Sequence, residues 1–252
     1  MEPSTQPIKT TKLDNVRRVP DKDPNLFLGA IICNSPEEVF IKVALDFTNH
    51  VKQLIALNGS CHFVLSGGQS ITKIISLIDV AQIRWESVTI SLADERCVPV
   101  GNVERNDLAI QRALISRITT SVPKFLNIPA ELGPIEAANK YESVISSQAP
   151  FDIALLGVGE DGHIASLFTT PNFNTNTRRV VPVLDSPKPP QHRVSLSFNE
   201  LRNVPRRIIP LTGHNKRGLF AQLCEGIPLP VTLFKPTDWY LDTDATDGRH
   251  DI

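Results

Sequence analysis

The chain has 252 residues, 41% of them hydrophobic, and a formal net charge of −1. That length can bury one sizeable core, and the near-neutral balance excludes a global attraction to nucleic acid or to an anionic membrane, so any anion site has to be local. The apolar runs are too short to span a bilayer, and residues 1–26 are polar and proline-containing without a hydrophobic leader region. The expectation is a cytoplasmic protein with a flexible tail over residues 1–25 and a single α/β domain over residues 26–252. Cys33, Cys61, Cys97 and Cys224 form no C-x-x-C pair, so reduced, partly buried thiols are expected.

In chain order, Leu26–Cys33 reads as a strand. Ser35-Pro36-Glu37-Glu38 then starts a helix, with serine as N-cap, proline at N1 and acids in the first turn, and its apolar stripe runs as far as Gly59. Cys61–Leu65 is a short buried strand that ends in SGGQS and leads into a helix over Ile71–Val80. Val88–Leu92 is a further strand, ending in ADER. Asn102–Asn106 reads as a loop, Asp107–Ile118 as a helix, Ser121–Gly133 as irregular and Pro134–Ser147 as helical. Phe151–Leu156 is an apolar strand that stops at Gly157-Val158-Gly159-Glu160-Asp161-Gly162, with His163 directly after, read as the start of a helix. Arg179–Leu184 and Arg193–Phe198 are strands around the proline-rich loop SPKPPQH. Arg207–Leu211 contains Pro210, which points to an edge strand or a bulge. Gly213–Cys224 is a helix, and the stretch after Gly226 carries no clear pattern.

Strands alternate with helices, and several strands are apolar throughout. That pattern predicts a mostly parallel sheet flanked by helices on both faces, a Rossmann-like three-layer sandwich with a small annex. In such sheets ligands bind beyond the carboxyl ends of the strands. The unusual polar stretches SGGQS, ADER and GVGEDGH all fall at such ends and should converge.

Ser66-Gly67-Gly68-Gln69-Ser70 joins a strand to a helix, where glycines let the backbone approach an anion and the helix start offers free N–H groups. It lacks the P-loop pattern, and taken alone it equally suits a tight turn. Arg96 can clamp a phosphate or fix a neighbouring acid. Asn106 can cap the next helix or bind a ligand hydroxyl, and capping by Asn106 or Asp107 is the expected role. The run Gly157–Gly162 formally matches a dinucleotide fingerprint, with Asp185 beyond it, but Glu160 and Asp161 would stand where a pyrophosphate must lie. His163 is the candidate for proton transfer. At a helix start the dipole disfavours imidazolium, and Asp161 or Glu160 could hold its tautomer. Arg193 and Lys216 are cations that can reach the same side. His62, His192, His214 and His250 show no metal-ligand spacing and no G-x-S-x-G elbow is present, so neither a metal nor a serine-hydrolase triad is expected.

Taken together, FVLSGGQS, ISLADERCVPVGNVERNDLAIQRALI, FDIALLGVGEDGHIASLF, HRVSLSF and the GHNK helix start resemble the 6-phosphogluconolactonases. These sit in the wider family that includes glucosamine-6-phosphate isomerase/deaminase and resembles ribose-5-phosphate isomerase in fold. The stretches run in the family's order over roughly residues 30–245. The deaminase branch typically reads DGHIAFNEP and DEY where this chain reads DGHIASLF and DER, which favours the lactonases. The resemblance implies hydrolysis of 6-phospho-D-glucono-1,5-lactone to 6-phosphogluconate in the oxidative pentose phosphate pathway. His163 would activate water, with Asp161 shaping its loop. The implied substrate-binding set is Gly67, Gly68, Gln69, Ser70, Asp94, Arg96, Asn106, Gly162, Arg193 and Lys216. No cofactor and no metal are implied, and the partner is a small phosphorylated sugar lactone, bound by a monomer or weak homodimer.

Some positions depart from the family's pattern. SGGSTP is replaced by SGGQSI, in which Gln69 and Ser70 can still donate hydrogen bonds. The usual serine before Asn106 is Arg105, an additional phosphate contact by this reading. SLFP is SLFT, and VTLFKPTDWYLDTDAT matches loosely, with Asp242 standing for the family's acid. Two other readings stand beside the lactonase. One is a sugar-phosphate isomerase or deaminase using Asp94 and Glu95 as further acid/base groups. The other is a catalytically degenerate sugar-phosphate-binding protein, motivated by the altered phosphate loop.

Overall fold

The computed structural model describes residues 26–169 and 178–249. The expected tail, Pro171 and His250 lie outside them. The elements are β1 (Ile31–Cys33), α1 (Pro36–Asn58), β2 (Cys61–Leu65), α2 (Gln69–Ser76), β3 (Val88–Leu92), β4 (Asp94–Arg96), α3 (Asn106–Ala113), β5 (Lys124–Leu126), α4 (Pro134–Ser146), β6 (Ile153–Leu155), β7 (Val180–Val183), β8 (Arg193–Leu196), α5 (Phe198–Arg202), β9 (Arg206–Leu211), α6 (Arg217–Cys224), α7 (Pro230–Phe234) and β10 (Asp238–Asp242).

Seven of the described strands form one sheet in the order β1-β10-β9-β6-β2-β3-β5. All its pairings are parallel. Every residue of β2 and of β6 is buried. A strand covered on both faces cannot alternate polar and apolar residues, which explains the continuous apolar runs. The edge strands β1 and β5 are only partly covered. The expected annex is a second sheet, β4-β8-β7, antiparallel throughout. It is tied to α4 where Glu142 takes the Arg178 guanidinium at 2.6 Å and the Arg179 N–H at 2.8 Å.

Local chemistry sets most boundaries. Ser35 caps α1 by accepting the Glu38 N–H at 3.3 Å, Pro36 fills the first turn, and Gly59 ends the helix in the left-handed region. Several expectations need correction. Leu26–Gly29 turns, closed by the Ala30 N–H on the Phe27 carbonyl, and only Ile31–Cys33 pairs. α2 starts at Gln69 and stops at Ser76, and α3 ends at Ala113 before a 3-10 turn at Ile115–Arg117. The stretch read as irregular supplies edge strand β5. ADER is not a strand-end loop, because Asp94–Arg96 crosses into the second sheet as β4. The patternless C-terminal stretch holds α7 and β10, and β10 inserts between β1 and β9.

Pro210 does not put β9 at an edge: β9 lies inside the sheet, between β10 and β6. The Ile208 carbonyl accepts the Leu156 N–H, so its backbone faces β6. By the two-residue period Pro210 faces the same side. β6 ends at Leu155, opposite Ile208, so the N–H that proline lacks would point past the end of that strand, where the ladder needs no donor.

None of the four cysteines is in a disulfide, and burial pushes the Cys61 thiol up to about 12 and the Cys97 thiol up to about 11.

Candidate active site

From β2 the chain crosses through α2 to β3 on one side. From β6 it leaves through the second sheet and returns as β9 on the other. A crevice opens where neighbouring strands send their connections in opposite directions. The two chain segments meet there directly, as the Gly157 N–H donates to Ser66 Oγ at 2.9 Å. A cavity of about 380 Å³ occupies the crevice. Its lining draws on all three polar strand ends, Ser66–Ile71, Asp94 with Arg96, and Gly157, Val158, Gly159 and His163, and adds Asn106, Arg193, Asn215 and Lys216. The expected convergence is therefore present.

His163 sits on a tight loop, with Gly159 N–H bonded to its carbonyl and Gly162 N–H bonded to the Gly159 carbonyl. No helix begins here: Ile164 instead bridges to Val158 and Leu167. The expected helix-dipole effect on His163 is thus overturned. The imidazole is held below its ordinary pKa chiefly by burial, its side chain being 17% exposed. Asp161 works against that shift, and Lys188 reinforces it. Nδ1 lies 2.5 Å from Asp161 Oδ1, so in the neutral ring Nδ1–H donates to the carboxylate and Nε2 keeps its lone pair. Burial alone would raise Asp161, but the hydrogen bonds and charges of His163 and Lys188 outweigh it and bring the carboxyl to about 2. Phe168 packs against the imidazole at 4.5 Å between ring centroids. The loop requires glycine at 159: a Cβ there would fall 2.0 Å from His163 Nδ1 and 2.5 Å from Asp161 Oδ1.

The opposite wall is built on α2 and α3. The start of α2 leaves its first backbone N–H groups unpaired within the helix. Gly67 is pressed so close to Asn106 that a Cβ would overlap its side-chain oxygen, at 1.8 Å. Asn106 in turn donates to the Asp94 carbonyl at 2.9 Å and to its carboxylate at 3.2 Å. Glu95, fully buried, accepts the N–H groups of Arg96, Asn106 and Asp107 at 2.7–2.8 Å and so caps α3. Burial raises its carboxyl to about 7, against the pull of those three donors. Asn106 is therefore the first residue of α3, and the cap comes from Glu95.

Three cations line the cavity. Arg96 donates to the Glu104 carbonyl, and its Nε is buried without a hydrogen-bond partner. Arg193 is buried and held by the carbonyls of Lys188, Pro189 and Pro190 at 2.9–3.1 Å, with Ser166 Oγ at 3.5 Å. Lys216 bonds the Val158 carbonyl at 2.8 Å, and burial lowers its pKa. The loop carrying Lys216 is anchored by Asp242, which takes the Gly213 and Ala245 N–H groups.

Of the expected residues, Gly67, Gly68, Gln69, Ser70, Asp94, Arg96, Asn106, His163, Arg193 and Lys216 line the cavity. Asp161 stands behind the imidazole. Gly162 faces Leu229, and its carbonyl accepts the Val231 N–H. The structure corrects the phosphate contact expected of Arg105. That guanidinium is spent on Asp107, Glu131 and two carbonyls. Glu160 does not hold the histidine; it accepts from Asn215 at 2.7 Å. Lys188, Ser166 and Asn215 were not singled out from the sequence; Ser166 and Asn215 lie within the DGHIASLF and GHNK stretches, whereas no local motif marks Lys188. Ser166 donates to Asp94 at 2.6 Å. No group of metal-ligating side chains occurs among the described residues, and no helix there is long and apolar enough to cross a membrane.

Comparison with known proteins identifies the family and the fold. The family model for glucosamine-6-phosphate isomerases/6-phosphogluconolactonase matches residues 34–243. The chain is 30% identical to the 6-phosphogluconolactonase of Pseudomonas putida over 210 residues, covering 79% of this chain and 86% of that one. It is 32% identical to the 6-phosphogluconolactonase of Mycobacterium tuberculosis over 212 residues, covering 76% and 86%. The crystal structure of 6-phosphogluconolactonase from Thermotoga maritima superposes with a TM-score of 0.74 over 84% of this chain and 99% of that one; at 24% identity that likeness speaks for the fold.

Proposed function

The chain belongs to the glucosamine-6-phosphate isomerase/6-phosphogluconolactonase family, and on that premise we propose that it hydrolyses 6-phospho-D-glucono-1,5-lactone to 6-phosphogluconate, the lactone-opening step of the pentose phosphate pathway. The observation that carries the reading is a carboxylate-backed imidazole, its pKa lowered chiefly by burial, on the wall of a polar cavity whose opposite wall is a helix start flanked by an arginine.

The phosphate group of the substrate belongs at the start of α2. The unpaired N–H groups of Gln69 and Ser70, the positive end of the helix and Arg96 supply donors there. The Arg96 Nε, without a partner in the protein, is a donor in reserve for an anion. Gln69 in place of a hydroxyl residue leaves the backbone donors intact, since these belong to the helix.

With the phosphate held there, the ester lies toward His163. Nε2 takes a proton from water as the water oxygen bonds to the lactone carbonyl carbon. The carbonyl oxygen becomes an oxyanion, and Arg193 and Lys216 supply positive charge for it. The intermediate then collapses. The bond to the ring oxygen breaks, that oxygen takes the proton from the imidazolium, and the ring opens to the acid with His163 neutral again. Asp161 fixes the tautomer and steadies the transient imidazolium. Asp94 is engaged by Asn106 and Ser166, so it orders the cavity wall.

The test is a parallel assay of two substrates. Acceleration of 6-phosphogluconolactone hydrolysis over its spontaneous rate, without turnover of glucosamine 6-phosphate, is expected. The opposite pattern would reassign the chain to the isomerase branch. Binding of both without turnover would make it a sugar-phosphate-binding protein.

A further inference from the structure

We infer that Lys188 is a positioning residue for His163. Its ammonium, delivered by the proline-rich strap between β7 and β8, shares the Asp161 carboxylate with the imidazole and stands beside the ring nitrogen. This rests on the reading of His163 as the base.

The geometry is a triangle of three charged or ionisable groups. Asp161 Oδ1 lies 2.5 Å from His163 Nδ1 and 3.2 Å from Lys188 Nζ, and Lys188 Nζ lies 3.5 Å from the same Nδ1. One carboxylate oxygen therefore serves both partners. The strap that brings Lys188 there is itself pinned. Ser186 Oγ donates to the Lys188 carbonyl at 2.8 Å and accepts the Lys188 N–H at 3.3 Å, and the same carbonyl takes Arg193 Nη2 at 3.0 Å. Lys188 thus joins the histidine loop at the end of β6 to the antiparallel sheet that carries Arg193.

Stability does not account for the pair. Lys188 and Asp161 are both 45% exposed, and ion pairs that exposed contribute little to folding. The effect falls on the proton instead. Around His163 stand Asp161 on its own loop, Asp94 from β4, Lys188 from the strap, and Arg193, whose guanidinium lies 5.7 Å from the Phe168 ring centre. Lys216 reaches the Val158 carbonyl, and Glu160 is held by Asn215. Burial disfavours the imidazolium first, Asp161 favours it, and Lys188 disfavours it. Removing the ammonium has one sign by two routes. It deletes a repulsion, and it leaves Asp161 undivided for the imidazolium.

The experiment is an NMR titration of the His163 ring in the ligand-free full chain, for wild type, Lys188→Met, Lys188→Gln and Lys188→Arg. The midpoint is expected about half a pH unit higher in the two neutral variants and near wild type in the arginine variant. The acid limb of kcat/KM for lactone hydrolysis should move with it, so that the loss is larger at pH 6 than at pH 8. An unmoved midpoint in both folded neutral variants would overturn the proposal. So would an arginine variant that shifts as far as methionine. A wild type that opens no lactone would defeat the functional reading alone, because the ring titration needs no substrate.

Discussion

Gly159 decides where the imidazole of His163 can stand. Its missing Cβ is the space into which His163 Nδ1 and Asp161 Oδ1 fit. Gly159→Ala should therefore push the ring by close to an ångström and cost roughly 10²-fold in kcat/KM, with the fold kept, as judged by an unchanged far-UV spectrum. Wild-type activity in that variant would mean that the ring is not held where the mechanism needs it. Asp161→Ala should also lower kcat, since the tautomer loses its acceptor, and a pH–rate profile would show it. At this scale the sequence was legible in identity and partly misread in cause. Three glycines around two acids and a histidine, at the end of an apolar run, marked the site. The neutral state of His163 was expected from a helix start, yet burial produces it. Lys188 was invisible because its meeting with Asp161 spans 27 positions and depends on how the strap folds back.

At the scale of elements, Glu95 links the second sheet to α3. Its carboxylate takes three backbone N–H groups, and a neutral amide can accept them with only one of its two ends. Glu95→Gln is expected to destabilise by about 1–3 kcal/mol, read by chemical denaturation, and to weaken substrate binding because Arg96 and Asn106 lose their anchor. An unchanged denaturation midpoint would show that the cap is dispensable. Central strands such as β2 (CHFVL) and β3 (VTISL) were legible to the residue, since short β-branched and apolar runs with breakers on either side define them. β10 was not. Its sequence, DWYLD, is bracketed by acids, and its place between β1 and β9 depends on pairing with β1 at the opposite end of the chain. β9 was demoted for a proline whose missing donor falls past the end of its neighbour.

For the whole molecule, His50, His62 and His163 are all held below the ordinary histidine pKa, mainly by burial. A histidine with a folded pKa below its unfolded one lends stability above about pH 6.5 and withdraws it as the pH falls through that region. The melting temperature should therefore drop between pH 7 and pH 5.5. His62 is the most enclosed of the three, bonded to the Ala149 carbonyl and to Ser91 Oγ at 2.8 Å each. In His62→Gln the drop should be shallower by a few degrees, as about 1 kcal/mol moves a chain of this size by roughly 2–4 °C. Equal slopes in the two proteins would remove His62 from the account.

The measurement that bears most directly on the central claim is the hydrolysis of freshly generated 6-phosphogluconolactone, against its spontaneous rate, by wild type and by His163→Asn. The account predicts acceleration by wild type and a loss of about 10²–10⁴-fold in kcat for a folded variant that still binds 6-phosphogluconate. A folded His163→Asn protein that opens the lactone as fast as wild type would contradict it.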